Sequence, residues 1–239
     1  MSSNTKQQIR EEVWSTLEDR GEARFPFPVE GRIPNFNGAE RAAEHLTSIP
    51  PISEAECIKA NPDSPQKPVR RHVLETNRTL LVPTPRLKSG FYELNGAEIP
   101  DDETSDAVTL RGMSSYGSTV PVERLRSVEL IVTGCVAVST EGGRIGKGEG
   151  YSDLEYAIMK EVGGDDVPVA TTVHSLQVKD YVPTDPHDIV LDWIATPERC
   201  METRTSLAKP EGVDWSLLSE QDLDEMPVLR NLRNASSGC

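Results

Sequence analysis

The feature that most constrains the fold is a nearly continuous apolar run, Val-Glu-Leu-Ile-Val-Thr, at residues 128–133. Runs of this kind are typical of strands that are buried on both faces in a parallel sheet. Residues 79–82, 167–173 and 189–195 are predicted to form three more strands. Because helical patterns separate these runs, the sequence predicts an α/β three-layer fold with a mostly parallel sheet.

Apolar residues that recur at helical spacing predict the helices of this fold. The first helix is predicted to present Ile9, Val13, Trp14 and Leu17 on one face. Further helices are predicted near residues 38–47, 69–75, 154–162 and 220–233. Residues 95–119 are polar and rich in glycine, and they are predicted to be irregular.

A Pro-rich segment at residues 25–36 interrupts the regular elements. Its three prolines exclude regular structure, so it is predicted to be an ordered loop pinned by its aromatic side chains. No internal repeat or linker divides the sequence. Residues 1–239 are therefore predicted to form a single α/β domain, with an insertion near 25–36 and a C-terminal helical extension near 210–233.

The chain is strongly acidic, with 39 Asp and Glu against 25 Lys and Arg and a formal net charge of -14. This charge argues against binding to nucleic acid or to anionic lipid, since both need a basic surface. Only 8 of the basic residues are lysine. Such a composition suits a protein that stays soluble in high salt, and it suits an ordinary acidic protein equally well.

Four cysteines, at positions 57, 135, 200 and 239, show no CxxC spacing. This pattern favours a reducing compartment over a disulfide or zinc scaffold. No apolar run approaches the roughly 20 residues of a membrane span, and the polar N-terminus does not resemble a signal peptide. We therefore expect a cytoplasmic protein without membrane partners.

The segment with the most chemical information is Arg-Ile-Gly-Lys-Gly-Glu-Gly-Tyr-Ser-Asp-Leu-Glu, at residues 144–155. Alternating glycines allow backbone amides to turn inward without Cβ atoms in the way. Ser152 and Glu155 have capping-box spacing, which predicts a helix N-terminus directly after the glycines. Free amides and the positive end of the helix dipole would together form an anion site.

Charged side chains in the same segment add to this anion site. Arg144 and Lys147 could hold phosphate oxygens. Asp153 would repel a bare phosphate, but it would suit a Mg²⁺ ion that bridges to the phosphate. The alternative is a glycine-rich turn in which Asp153 only complements the helix dipole. The GxxxxGK[ST] spacing of a Walker loop is absent.

Other polar residues allow two interpretations. His187 and Asp188 begin an apolar strand and could simply cap a neighbour, and His174 ends a strand at the sheet edge where ligands of open α/β folds bind. Cys135 is interpreted as a buried apolar residue without a nucleophilic role. Three loop residues could either line a substrate pocket or tie the loops together, namely Arg32, Asn35 and Arg86.

The glycine segment resembles the RLGxGxGYYD signature of the 5-formyltetrahydrofolate cyclo-ligases, also called methenyltetrahydrofolate synthetases. Lys6 and Arg10 resemble the N-terminal KxxLR of that family, and residues 128–139 resemble its strand-plus-glycine segment. His-Asp-Ile-Val-Leu-Asp-Trp-Ile-Ala-Thr at 187–196 resembles its HDxxLDxIxT strand.

A closer resemblance is to the branch known as methenyltetrahydrofolate synthetase domain-containing proteins. It is carried by the segments at 27–29, 32–36, 83–87, 144–156 and 226–230. In animals that branch also carries an RNA-recognition domain. We do not expect one in this chain, whose acidity would not suit RNA.

The resemblance implies a Rossmann-like α/β sandwich of the cyclo-ligase (NagB/RpiA/CoA-transferase-like) type. It also implies an ATP- and Mg²⁺-dependent conversion of 5-formyltetrahydrofolate into 5,10-methenyltetrahydrofolate. In that reaction ATP phosphorylates the formyl oxygen, the neighbouring nitrogen attacks the activated carbon, and phosphate leaves. The site must then align phosphate, formyl group and cations, and it needs no covalent nucleophile.

The resemblance also assigns roles to residues of this chain. Lys6 and Arg10 would hold ATP phosphates, while Asp153 and Asp188 would bind Mg²⁺. Arg144, Lys147 and Tyr151 would act in catalysis. The glycine segment would cradle the nucleotide and contact folate through Gly146, Lys147, Gly148, Glu149, Gly150, Tyr151 and Ser152.

The sequence departs from the family pattern mainly on the folate side. Ser152 stands where the signature has a second Tyr, and we expect its hydroxyl to cap its own helix. Leu154 stands where many members have Arg. The acid that contacts the pterin is not evident, and Asp63 is the only carboxylate near its place.

These departures predict a weakened folate site beside a retained nucleotide site. Two other functions therefore stay open. One is a related enzyme that keeps the nucleotide site but serves another small-molecule pathway, such as a thiamine-related one. The other is a non-catalytic module that binds a nucleotide or folate. The sequence does not indicate whether the protein is a monomer or a homo-oligomer.

Overall fold

A computed structural model describes residues 2–50, 52–125 and 127–236. Its α-helices are α1 (Ser2–Asp19), α2 (Ala39–Thr47), α3 (Lys67–Glu75), α4 (Thr104–Ala107), α5 (Leu110–Tyr116), α6 (Tyr151–Glu161), α7 (Glu220–Glu225) and α8 (Pro227–Ser236). Its strands are β1 (Ala23–Arg24), β2 (Asn35–Phe36), β3 (Cys57–Ala60), β4 (Thr79–Pro83), β5 (Phe91–Asn95), β6 (Ser118–Val120), β7 (Leu130–Val132), β8 (Ala137–Ser139), β9 (Arg144–Ile145), β10 (Val169–Thr172), β11 (Val178–Lys179), β12 (Trp193–Ala195) and β13 (Cys200–Glu202).

The main sheet has eight strands in the order β13-β12-β10-β7-β3-β4-β5-β6. The five strands from β12 to β4 pair in parallel, and antiparallel strands complete both edges. The mostly parallel sheet is therefore confirmed. The sequence interpretation missed β3, because its four residues are few and include a lysine that breaks the apolar run.

Helices cover both faces of this sheet because successive strand residues point to opposite sides. In β4, Leu80 and Val82 pack on the side that carries α2 and α3. Leu81, between them, packs on the other side with residues of α6 and α8. The three-layer α/β fold is thus confirmed.

A small sheet, in the order β11-β8-β9, lies beside the main one and positions the N-terminal helix. Val13, Trp14 and Leu17 of α1 pack in one buried cluster with Val136 and Ile145 of this region. The predicted apolar face of the first helix is therefore the face that is buried. The packing holds α1 next to the glycine segment that follows β9.

The Pro-rich segment is held only in part by the aromatic side chains that the sequence predicted to pin it. Phe25 is 78% exposed and Phe27 is 56% exposed, so these two aromatic side chains do not pin the loop. The third aromatic, Phe36, is buried as predicted, together with the aliphatic Val29 and Ile33. Pairing of β1 with β2 closes the base of the segment.

Residues 95–119 are not irregular, which corrects the second loop prediction. They contain α4, α5 and β6. Thr109 caps α5 by accepting a hydrogen bond from the Gly112 amide. Ala107, Val108 and Met113 are buried against the sheet. Burial in the tertiary structure therefore outweighs the weak helical propensity of this polar stretch.

The predicted C-terminal helix is present but divided. α7 ends at Glu225 and α8 begins at Pro227, because proline has no amide hydrogen to continue a helix. Within the described residues, no helix is both long and apolar enough to cross a membrane. The described cysteines Cys57, Cys135 and Cys200 form no disulfide, and Cys135 is buried as predicted.

Candidate functional site

Two cavities flank the glycine segment that joins β9 to α6. We call the smaller one, of about 300 Å³, the α1 cavity, since Lys6 and Arg10 line it together with Asp188. The larger one, of about 480 Å³, is called the β3 cavity, since Asn61 and Asp63 directly after β3 line it. Four residues line both cavities: Arg144, Gly146, Gly150 and Asp153. The glycine segment is therefore a wall shared by two neighbouring spaces.

The backbone of this wall requires glycine at two positions. Gly148 has φ of 109° and Gly150 has φ of 72°, in the left-handed region that other residues rarely adopt. Gly150 is the N-cap of α6, so the helix begins at Tyr151. The first amides of a helix have no partner within it, and the predicted combination of glycines and a helix N-terminus is present.

The predicted capping box at Ser152 and Glu155 is wrong. Ser152 lies inside the first turn of α6, because the left-handed Gly150 starts the helix earlier than expected. The Ser152 Oγ accepts a hydrogen bond from Asn61 Nδ2 at 3.1 Å. Its side chain lines the β3 cavity and does not cap its own helix.

Arg144 is the buried cation of the shared wall. It is 3% exposed, and its guanidinium lies 2.5 Å from the Asp153 carboxylate and donates to the Gly134 carbonyl. Although burial opposes the charged form, Asp153 holds the pKa of Arg144 above its ordinary value. Asp153 Oδ1 also accepts from the amide of Ile189, which fixes the carboxylate.

Lys6 and Arg10 project from α1 toward the glycine segment. Lys6 Nζ lies 2.7 Å from Asp185 and 2.5 Å from Asp188. Burial opposes its charge, but these two carboxylates raise the pKa of Lys6. Arg10 Nε donates to the Gly146 carbonyl at 2.7 Å. Of the two predicted phosphate ligands, Lys6 is therefore held by carboxylates, whereas Arg10 is held by the loop backbone.

Asp153 and Asp188, the predicted metal ligands, both line the α1 cavity. Asp188 Oδ2 is engaged by Lys6 and by the amide of Asp185. Potential ligand atoms of Asp185, His187 and Asp188 lie within 4.8 Å of one another, and Asp153 is not part of this group. Asp153 Oδ2 and Asp188 Oδ1 make no hydrogen bond to the described residues, and carboxylate oxygens suit Mg²⁺.

The remaining predicted residues of the segment, Lys147, Glu149 and Tyr151, line the β3 cavity. Lys147 Nζ lies 2.7 Å from Glu149. The Tyr151 hydroxyl donates to Glu225 Oε2 at 3.1 Å, and Arg86 lies 3.6 Å from the same carboxylate. Burial and then Glu225 raise the pKa of Tyr151. Glu225, which the sequence interpretation missed, thus ties α7 to two residues that line the β3 cavity.

A buried polar chain forms part of the wall of the β3 cavity and was also missed. Lys59 is 2% exposed, and its Nζ donates to Glu155 at 2.6 Å and to Asn61 Oδ1 at 3.0 Å. Asn61 in turn contacts Ser152. A lysine inside the otherwise apolar Cys-Ile-Lys-Ala run was the signal in the sequence that could have revealed this chain.

Asp63 supplies a carboxylate to the β3 cavity. It is the residue that the sequence placed nearest to the position of the family's pterin-binding acid. It is half-buried, and its carboxylate makes no hydrogen bond to any residue that the structure describes. Burial raises the pKa of Asp63, and the nearby Lys147 and Arg70 oppose that shift. The Asp63 carboxylate therefore borders the cavity and has no hydrogen-bond partner among the described residues.

The structure shows which of the other polar residues tie loops together and which line a cavity. Arg32 Nε donates to the Pro28 carbonyl and Asn35 Nδ2 to the Phe25 carbonyl, so both tie the Pro-rich loop together. Arg86 lines the β3 cavity. His174 caps a short 3₁₀ turn through its Nδ1, which is a structural role. His187 lines the α1 cavity.

The fold and the position of the cavities define an open α/β protein that binds its ligands at one edge of the sheet. Asn61 follows β3 directly, and Gly134 lies shortly after β7. Both line the β3 cavity, which therefore lies at the carboxyl ends of parallel strands. This is the edge at which open α/β sheets bind their ligands.

Comparisons with known proteins agree with an open α/β protein and identify its family. Residues 2–197 match the model of the 5-formyltetrahydrofolate cyclo-ligase family, and the chain belongs to that family. It is 45% identical over 238 residues to the methenyltetrahydrofolate synthase domain-containing protein of Bos taurus, covering 96% of this chain and 62% of that protein. The Homo sapiens protein of the same name is 40% identical, with 96% of this chain and 61% of that protein covered.

A solved structure supports the fold. The 5,10-methenyltetrahydrofolate synthetase of Aquifex aeolicus superposes with a TM-score of 0.52 at 21% identity, over 85% of this chain and 95% of that chain. The resemblance to the domain-containing branch is thus confirmed by the named relatives. The chain spans about three fifths of the length of the curated relatives cited above.

Proposed function

We propose that this chain converts 5-formyltetrahydrofolate into 5,10-methenyltetrahydrofolate in an ATP- and Mg²⁺-dependent reaction. The observation that carries this proposal is the wall shared by the α1 and β3 cavities. A reaction between two substrates needs their reacting groups side by side, and two cavities that share Arg144 and Asp153 allow that arrangement. Membership of the cyclo-ligase family supports the choice of reaction.

The α1 cavity is the proposed site for the phosphates of ATP. Arg10 contributes a cation next to the glycine segment, and the N-terminus of α6 contributes free amides. Asp153 and Asp188 would hold the Mg²⁺ ion through the carboxylate oxygens that make no hydrogen bond to described residues. The ion, when bound, would neutralise charge on the phosphates.

The β3 cavity is the proposed site for the reduced folate. Its volume of about 480 Å³ and its apolar side chains, which include Ile33, Tyr92 and Met113, suit a flat heterocycle. The Asp63 carboxylate could accept hydrogen bonds from N–H groups of the pterin. Tyr151, on the glycine segment, provides an aromatic face at the border with the nucleotide.

Within this proposal the protein aligns the two substrates and stabilises the charge that develops on the phosphate, and it forms no covalent bond to the substrate. Arg144 is fixed by Asp153 in the wall between the cavities, so its positive charge is already oriented where phosphate oxygens would lie. Preorganised charge of this kind lowers a barrier without reorganisation during the reaction. Lys147 and Tyr151 border the same wall from the folate side.

Turnover of 5-formyltetrahydrofolate with MgATP, followed by the absorbance of the methenyl product, tests the proposal. We expect Asp153→Asn to lower kcat by about a hundredfold or more, since it removes a negative charge from the metal site. Asparagine can still accept from Arg144 and Ile189, so circular dichroism should show an intact fold. Asp180→Asn, at an exposed position, is the matched control and should keep full activity.

The outcomes separate the alternatives. ATP hydrolysis without folate conversion would favour an enzyme of another small-molecule pathway, and binding without turnover would favour a non-catalytic module. Wild-type activity in Asp153→Asn would contradict the metal assignment. The weakened folate site predicted from the sequence rested partly on Ser152 capping its own helix, and that premise is wrong.

A further inference from the structure

The hydrogen-bond chain behind the β3 cavity has a fixed direction. An ammonium group only donates hydrogen bonds, so the Asn61 side-chain atom that faces Lys59 must be the carbonyl oxygen. The amide nitrogen of Asn61 then donates to Ser152 Oγ at 3.1 Å and to Glu155 Oε2 at 3.4 Å. The buried Lys59–Glu155 ion pair, with 2.6 Å between Nζ and Oε2, holds the Lys59 side chain in place.

This direction determines what Ser152 offers to the cavity. A hydroxyl that accepts from Asn61 directs its own proton elsewhere. Among the residues that the structure describes, none accepts a hydrogen bond from the Ser152 hydroxyl, and Ser152 lines the β3 cavity. Ser152 is therefore preset as a hydrogen-bond donor to whatever occupies this space.

We propose that Ser152 is a specificity-determining residue of the β3 cavity, and that Lys59, Glu155 and Asn61 position it as a donor. The ligand it fits is a planar nitrogen heterocycle with a carbonyl or ring-nitrogen acceptor on the edge that faces Ser152. This inference rests on the proposed function, because a reduced folate carries an acceptor of this kind on its pterin head. Lys59 and Glu155 are positioning residues, since Asn61 lies between them and Ser152.

Asn61→Asp reverses the chain while keeping the shape of the side chain. It also replaces the donor to Glu155 Oε2 by a carboxylate oxygen, so the fold of this variant is checked by circular dichroism. A carboxylate accepts from both Lys59 and Ser152, so the Ser152 proton would turn away from the cavity. Ser152→Ala removes the donor directly, and Ser152→Thr retains it. The paired change Lys59→Met with Glu155→Leu replaces the buried ion pair by apolar groups, which proteins often tolerate without loss of stability.

Calorimetric titration with 5-formyltetrahydrofolate, and separately with MgATP, distinguishes these roles. Ser152→Ala and Asn61→Asp should each weaken folate binding by about fivefold to tenfold, the effect of one hydrogen bond. The variant that combines Ser152→Ala with Asn61→Asp should bind folate no more weakly than either single variant, because both changes remove the same contact. Ser152→Thr should bind folate within about twofold of wild type, and MgATP binding should be unchanged throughout.

Three results would overturn the inference. Equal folate binding by wild type and Ser152→Ala would show that Ser152 donates no hydrogen bond to the folate. The proposed function would remain intact. Additive losses in the double variant would show that Asn61 does not act through Ser152. Absence of folate binding by the wild type would overturn the proposed function and this inference with it. If Asn61→Asp does not fold, the comparison of Ser152→Ala with Ser152→Thr decides.

Discussion

At the scale of single residues, the most unusual group is the Asp63 carboxylate. It is partly withdrawn from water, yet it has no hydrogen-bond partner among the described residues. A buried charge without a partner costs stability, and such costs are typical of functional sites. Its position in the β3 cavity suggests that a ligand provides the missing partner.

We expect Asp63→Asn to raise the melting temperature and to weaken folate binding. The pKa of Asp63 is raised above 3.8, so the folded protein holds this proton more tightly than the unfolded chain. Stability is then lost as the pH rises from the unfolded pKa through the folded pKa. Melting curves at several pH values should therefore show the stabilisation above that window and little of it below.

A melting temperature of Asp63→Asn that equals or falls below that of wild type at neutral pH would contradict this explanation. Asp101→Asn, at an exposed position, serves as the matched control and should shift neither stability nor folate binding.

At the scale of elements, helix α3 holds the polar loop of the β3 cavity through one buried side chain. Arg70 donates to the carbonyl oxygens of Asn61 at 2.5 Å, Asp63 at 2.9 Å and Val108 at 3.3 Å. Burial lowers the pKa of Arg70 to about 10, while Asp63 opposes that shift, so the guanidinium remains charged at neutral pH. One helix residue thus joins the loop after β3 to the segment before α5.

Arg70→Met should lower the free energy of unfolding by about 3 kcal/mol, because it leaves buried carbonyl groups without a donor. It should also raise the KM for folate, since Asn61 and Asp63 lose their anchor. Urea denaturation and the folate assay measure these effects.

The neighbouring Arg71 provides the matched control for this change. Arg71 is half-exposed and pairs with Glu75 at 3.4 Å on the surface of the same helix. Arg71→Met should therefore change the unfolding free energy by less than about 0.5 kcal/mol. Equal effects of the two substitutions would contradict the anchoring role of Arg70.

At the scale of the whole molecule, the dominant property is the net charge of -14. Many acidic groups lie on exposed surface, including those of α7 and the segment before α4. Their mutual repulsion favours expanded states, and salt screens it over a distance of about 10 Å at 0.1 M and about 3 Å at 1 M.

We therefore expect the melting temperature to rise as KCl is increased from about 0.05 M to about 1 M. The partly buried pairs of Lys6 with Asp185 and Asp188 are screened less than surface charges, so they should survive this change. If screening is the cause, tetramethylammonium chloride at equal ionic strength should give a similar rise. A melting temperature that falls with both salts would show that charge repulsion does not control the stability of this protein.

The sequence by itself determined the features that depend on near neighbours along the chain. Apolar runs predicted four of the five parallel strands, all but β3, and helical spacing predicted the buried face of α1. Glycine alternation predicted the helix N-terminus that follows the glycine segment. That this segment lies between two cavities came only from the structure. Whether the glycine segment, Lys6, Arg10, Asp153 and Asp188 bind MgATP stays a prediction, as does the single-domain organisation of residues 1–239.

Only the tertiary structure decided the pairings between distant segments. Lys59 and Glu155 are 96 positions apart, and they meet because β3 lies at the centre of the sheet beneath α6. Lys6 pairs with Asp185 across 179 positions. Ser152 points to Asn61 because Gly150 starts the helix earlier than capping-box spacing suggested. Local propensity reflects a few neighbouring residues, whereas the partner of a buried charge is set by which strands and helices pack together, and no local pattern encodes that choice.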